Sequence, residues 1–326
     1  MGDSMSGKFN KAALTKWKVI FGKREFTMFF VLLGMILVSA VISPSFRSIN
    51  NFLNILNQNA IYGLMAIGIS FVIVTGSMDL SVGSTAALSG MAAAMLFRDY
   101  GMAAGFIGGI AVGAVVGLIN GVAIIKLKLA PFVVTMGTMY IARGITYIIT
   151  NAHPVSGIPA ALNVIGIGKI GPVPVAALIW FVLAVIMYCV MRYTVFGQYI
   201  YAIGGSENAT WLSGVNVNKI RVISYVISGV FASLAGFIII FRLMIATADA
   251  ATSYEMTAIA SCVIGGISLN GGRGSVIGSV IGTLVFGLIL NMLQLLGVSS
   301  FWQSAITGLV IIIVASIDSL SNSRKK

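Results

Sequence analysis

Two carboxylates and one arginine fall among long apolar runs: Asp79, Glu255 and Arg143. Ionisable groups in such places are costly and tend to have a task, such as holding a proton or a sodium ion or touching a passing solute. Asp79 lies in Gly-Ser-Met-Asp-Leu-Ser-Val-Gly-Ser, residues 76–84. Asp79 and Ser81 are placed to cap a helix, or to hold a broken helix whose backbone lines a water-filled cavity. Capping is the preferred reading of Asp79, with solute contact second. Glu255 opens a small-residue stretch, 254–279, that ends in Gly-rich sequence. By residue count both acids stand at the edges of apolar runs, which argues against an ion carried through the membrane. Arg143 needs a partner; an ion pair is the first reading and solute contact the second.

The neutral polar residues Asn57, Asn59, Asn120, Asn291 and Gln303 also punctuate apolar sequence. Amides there can serve solute hydroxyls, and equally can join helices. Other chemistry finds no support. His153 has no Cys or carboxylate at ligand spacing. Gly271–Ser275, GGRGS, lacks the Lys-Ser/Thr that a phosphate-cradling loop requires, so a tight turn is expected. Cys189 and Cys262 both lie inside apolar runs and read as small hydrophobes, not a disulfide. No cofactor, metal or catalytic residue is expected, and a membrane enzyme is disfavoured because no loop collects paired carboxylates or histidines.

The elements that must position these residues are membrane spans. The chain has 326 residues, 58% of them hydrophobic and 9% charged, where soluble domains carry about 25% charged residues. An all-α polytopic membrane protein follows. At about 20 apolar residues per span, ten spans are predicted, at 26–43, 59–76, 82–97, 102–125, 131–150, 173–191, 219–241, 255–269, 274–296 and 301–317. Residues 44–58 read as an interfacial helix, and 151–172, rich in proline, as a loop. The body is thus 26–317, with a basic extension, 1–25, and a tail, 318–326.

Net charge is +12, and its placement points to a lipid bilayer rather than nucleic acid. With the N-terminus inside, 15 of the 20 Lys and Arg fall on the cytoplasmic side, 4 fall outside and Arg143 lies within a span. That asymmetry supports cytoplasmic N- and C-termini. A weak inverted repeat is also visible. The fourth and ninth spans are Gly-punctuated and reach Gly-Leu-Ile just before Asn120 and Asn291, while Asp79 and Glu255 head the third and eighth.

One polar stretch, 192–218, interrupts the chain midway. Ser206 is a fitting N-cap, Glu207 sits in the first turn where a negative charge suits the dipole, and Gly214 is placed to stop the helix. Ala209, Leu212 and Ser213 give the short helix a small apolar face, with Asn208 and Thr210 beside it. GGSENATWLSGVNVNKIR resembles the cytoplasmic coupling segment of sugar permeases from ATP-binding-cassette importers, the ribose and galactose permease family. The 76–84 and 254–279 blocks resemble that family's other signatures, with Ser77 and Met78 between Gly76 and Asp79. The resemblance runs from about Pro44 to the C-terminus. It implies a cell inner-membrane pathway subunit working as a homodimer, an ATPase subunit docked on residues 206–214, and an external sugar-binding protein. The alternative from the residues alone is an ion-coupled secondary transporter of a small polar solute.

Overall fold

The computed structural model describes residues 24–323. The predicted extension 1–25 therefore lies almost wholly outside the described residues, as do the last three residues of the tail. Thirteen α-helices are described: α1 Arg24–Ile42, α2 Ile49–Val74, α3 Val82–Tyr100, α4 Met102–Leu127, α5 Pro131–Thr150, α6 Asn163–Ile167, α7 Val175–Tyr193, α8 Val195–Gly205, α9 Glu207–Leu212, α10 Val217–Leu243, α11 Tyr254–Ile264, α12 Val276–Leu295 and α13 Ser300–Ser323. A two-residue hairpin, β1 Lys169–Ile170 and β2 Val173–Pro174, and two 3-10 turns complete the architecture. The fold is all-α.

Six of these helices, α2, α4, α5, α7, α10 and α12, are long and apolar enough to cross a membrane. The other four predicted spans differ in kind. α1 and α13 carry shorter apolar segments, and α11 has only 11 residues. At 1.5 Å per residue α11 rises about 16 Å, roughly half of a hydrocarbon core. α3 carries Ser84, Thr85 and Ser89, all buried against other helices, so its surface need not be apolar enough for lipid. Three local expectations also change. Residues 49–58 are the first turns of α2, and only Pro44–Arg47 forms a separate turn. The predicted loop 151–172 contains the one-turn helix α6, and the polar stretch 192–218 holds two helices, α8 and α9.

α10 packs against α4, α2 and α3 and organises the bundle. Lipid tails are as apolar as leucine, so close backbone packing and hydrogen bonds must hold such helices together. Gly113 of α4 and Gly229 of α10 show this: a Cβ on either would strike the other's carbonyl. The main core joins α2, α7, α10 and α11 around Phe71, Trp180, Phe231 and Ile238.

Two connections dip into the bundle instead of turning at its surface. After α2 ends at Val74, Gly76 adopts φ +77° and residues 77–81 run back inward. Asp79 there meets Ser228, near the middle of α10, so α3 begins deep in the bundle. After α10, residues 244–253 also run inward and α11 begins at Tyr254. Gly83, in the first turn of α3, abuts both the Glu255 carboxylate and the Ala251 carbonyl. The starts of α3 and α11 therefore meet in the interior. The other end of α11 leads to the 265–275 turn. There Gly272 donates its N–H to the Val74 carbonyl at 2.8 Å, beside Gly204 of α8. The GGRGS sequence is thus the tight turn expected, with Gly271, Gly272 and Gly274 all at positive φ.

Candidate functional site

The short helix α9 is built as its sequence dictates. The Ser206 hydroxyl oxygen accepts the Ala209 N–H at 3.3 Å, capping the first turn. Gly214, at φ +85°, reverses the chain after Ser213. Its N–H donates to the Trp211 carbonyl at 2.9 Å, and the Val215 N–H to Thr210 at 3.4 Å. That pair of bonds satisfies carbonyls which a six-residue helix would otherwise leave open. Only Thr210 of this helix is buried; its hydroxyl donates to the Ser206 carbonyl at 2.8 Å. Asn208 and Ala209 are exposed. Trp211 is 67% exposed and Leu212 76%. The expected apolar face is therefore larger than Ala209, Leu212 and Ser213 alone. Trp211 was missed, although a tryptophan in a polar surface stretch is itself a signal for a contact surface. Glu207 is no free charge: Arg221 of α10 grips it with Nη1–Oε1 at 3.1 Å and Nη2–Oε2 at 2.8 Å.

A second polar group lies in the interior. Asp79 is 1% exposed. Its Oδ1 accepts the Ser81 N–H at 2.9 Å and the Ser81 hydroxyl at 2.6 Å, and its Oδ2 accepts the Ser228 hydroxyl at 2.8 Å. Asn120 of α4 donates Nδ2 to the Ser81 hydroxyl at 2.9 Å, and Tyr225 of α10 donates to the Met78 carbonyl at 2.9 Å. The structure thus joins three residues expected from sequence, Asp79, Ser81 and Asn120, to two that were missed, Ser228 and Tyr225. Their signal was present as a polar stripe, Ser224, Tyr225 and Ser228, at helical spacing in an otherwise apolar segment. Asp79 Oδ1 orders the turn before α3, while Oδ2 reaches across to α10; the N-cap position of α3 is Ser81, which carries no side-chain cap bond, so Asp79 is not itself a helix cap.

Two expectations about charge are corrected. Asp79 and Glu255 do not stand at the rim. The inward-running connections carry both to the interior, where Glu255 is 7% exposed. Arg143 forms no ion pair among the described residues. It donates Nη1 to the carbonyls of Ala248, at 2.6 Å, and Ala250, at 2.7 Å. An inward-running segment leaves carbonyls without helix partners, and a guanidinium supplies the donors they need.

The remaining candidates serve separate places. Asn57 donates to the Gly166 carbonyl at 3.4 Å. Asn59 is buried against Gly287, where there is room for no side chain. Asn291 exchanges amide hydrogen bonds with Asn51 at 3.0 and 3.1 Å, so it does not repeat the part played by Asn120. Gln303 donates to the Val298 carbonyl at 2.8 Å.

The assembly is a bundle of apolar helices with a capped knob at one end and a polar, broken-helix interior, which is the build of a solute pathway. A family model described as the permease component of branched-chain amino acid transport systems matches residues 51–315. The chain belongs to this permease family. The ribose import permease of Escherichia coli (strain K12) is 39% identical to it over 314 residues, covering 92% of this chain and 98% of that one. The ribose import permease of Bacillus subtilis (strain 168) is 41% identical over 287 residues, 87% and 89% of the two chains. The galactose/methyl galactoside import permease of Escherichia coli (strain K12) is 34% identical over 335 residues, 97% and 100%. No solved structure matches the chain. The permease is a multi-pass inner-membrane transport subunit.

Proposed function

We propose that the permease forms the pathway of an ATP-driven importer for a monosaccharide of the ribose or galactose kind. The observation that carries the reading is α9: a capped and terminated helix at one end of the bundle, tied to α10 through Glu207 and Arg221, with Trp211 and Leu212 exposed. A surface of that kind suits a soluble partner, here an ATPase subunit docking on residues 206–214. The similarity to ribose and galactose import permeases over most of the chain supports the sugar and an external sugar-binding protein.

On this reading the body 26–317 passes ten times through the membrane, with α3 and α11 as broken passages. The N- and C-termini and the 192–218 segment face the cytoplasm, in keeping with the cation asymmetry. A second copy completes the pathway. The inverted repeat relates the two inward-running connections, and the approach of Gly83 to Glu255 supports it. Asp79, Ser81, Asn120, Arg143 and Glu255 act as its internal framework.

Purified permease reconstituted with its ATPase and binding protein is expected to accumulate sugar when ATP is supplied inside. Accumulation on a sodium or proton gradient, with no ATPase present, would overturn this reading in favour of ion coupling.

A further inference from the structure

A cavity of about 600 Å³ opens between α2, α11, α12 and α13, within the 300–1,000 Å³ usual for small-molecule sites. Its inner wall is the junction where the 244–253 connection gives way to α11. Thr252 and Ser253 are exposed there, with Ser253 at φ +66°. They precede the interior start of a half-length helix, one residue from Glu255 and its contact with Gly83. Irregular backbone at that depth cannot face hydrocarbon, because its N–H and C=O groups would have no partners. Water, a solute or a second protein surface must cover it.

The lining says what. Tyr62, Tyr254, Thr257, Gln303 and Thr307 bring phenols, hydroxyls and an amide to the wall, the Thr307 hydroxyl already donating to the Gln303 carbonyl, and among the described residues no charged side chain borders the cavity. Of the charges near it, Glu255 is turned against Gly83, Arg143 donates to two backbone carbonyls, and Arg242, close enough to act on the Tyr62 phenol, is not part of the lining. A zwitterionic amino acid entering such a site would need counter-charges to replace its water. A neutral polyol needs only donors and acceptors of the kind present. The Tyr62 and Tyr254 rings, with centroids 4.6 Å apart, add an aromatic surface for the C–H face of a sugar ring. Gln303 is held by its bond to Val298, so its amide is pre-positioned at the cavity wall.

We propose that this cavity is a station on the transport pathway that receives a neutral monosaccharide and excludes zwitterionic amino acids. The inference rests on the sugar-importer reading above and assigns its substrate contacts.

The test uses the complete importer in proteoliposomes, with ribose, galactose and leucine each supplied with a cognate binding protein. Gln303→Leu and Thr257→Val are each expected to lower the maximal sugar rate about tenfold, the loss of roughly one hydrogen bond in the pathway. ATP hydrolysis stimulated by the loaded binding protein should persist. Thr257→Ser, which keeps the hydroxyl, should retain transport. With Cys189 and Cys262 replaced by alanine, Ser304→Cys should react with a hydrophilic thiol reagent. Wild-type sugar rates in Gln303→Leu and Thr257→Val would overturn the cavity while leaving the sugar importer standing. So would a Ser304→Cys that resists the reagent and crosslinks to a second copy instead, since the space would then be a subunit interface. Wild-type uptake of leucine and not of either sugar would overturn the importer reading itself, and the cavity assignment with it.

Discussion

Arg221 and Glu207 form a two-pronged ion pair, at 2.8 and 3.1 Å, between the first turns of α10 and the short helix α9. Arg221 is also the first member of a stripe on one face of α10. Tyr225 follows four residues on and holds the Met78 carbonyl; Ser228 follows seven residues on and holds Asp79. A single helix face thus runs from the exposed knob to the interior start of α3. A displacement of α9 by a soluble partner has a direct route into the bundle.

That route sets the first prediction. Glu207 is 51% exposed but Arg221 only 16%, so breaking the pair leaves a largely buried group short of a partner and should cost about 1–3 kcal/mol of stability, more than a fully exposed pair would. Arg221→Gln and Glu207→Gln permeases should fold and still associate with the ATPase, but lose most transport per ATP hydrolysed. The charge-swapped double variant, Glu207→Arg with Arg221→Glu, should recover part of it. Transport-to-hydrolysis ratios in proteoliposomes check this, and unchanged ratios in the single variants would dismiss the route.

Gly214 gives a separable effect. At φ +85° a β-branched residue is strained by about 1–2 kcal/mol. Gly214→Val should unwind the end of α9, which contributes only Thr210 to the buried interior. Co-purification with the ATPase should fall sharply while the thermal melting of the detergent-solubilised permease stays within a few degrees. Lys169→Glu, on the exposed hairpin, should alter neither.

Asp79 distinguishes a framework role from ion coupling. Asparagine at 79 can still accept from Ser81 and can donate to the Ser228 hydroxyl. Asp79→Asn is therefore expected to keep ATP-driven uptake within about threefold, and no imposed gradient should substitute for ATP. Ser228→Ala leaves a buried carboxylate oxygen without its donor and should cost about 1–3 kcal/mol of stability. Abolished uptake in Asp79→Asn, with melting unchanged, would make Asp79 a site that moves charge.

What sequence showed and what it hid divide along the range of the forces involved. The α9 helix was legible because its determinants are local: a capping hydroxyl, three residues to the N–H it accepts, and one glycine at the reversal. The bond of Asp79 to Ser81 is local in the same way, two residues apart, but it orders the turn before α3 and is not the helix cap that the spacing suggested. The bond of Asp79 to Ser228 crosses 149 residues, and no local pattern announces it. The depth of Asp79 and Glu255 was misjudged because counting apolar residues assumes that every connection turns at the surface. Two here run inward, and the exposed end of an apolar run became the interior start of a helix. Arg143 was expected to find a carboxylate because backbone carbonyls are normally spoken for; the irregular 244–253 segment leaves them free.

Orientation can be tested with labels at the two ends of the bundle. α10 spans about 40 Å at 1.5 Å per residue. α9 packs beside its start, and at its far end Asn163 donates to the Phe241 carbonyl at 3.2 Å. Asn208, on α9, and Ala160, next to α6, are both exposed, so a reagent reaches one from each side. A label at Asn208 leaves the Ser206 hydroxyl free to cap the helix. In a background lacking Cys189 and Cys262, a membrane-impermeant maleimide should modify Ala160→Cys in intact cells and Asn208→Cys only in inverted vesicles. On the orientation proposed above, Arg192, Lys219, Arg221 and Arg273 stand at the cytoplasmic face, in keeping with the preference for positive charge inside. Modification of Asn208→Cys in intact cells would invert the bundle, put α9 outside and remove the ATPase from its reach.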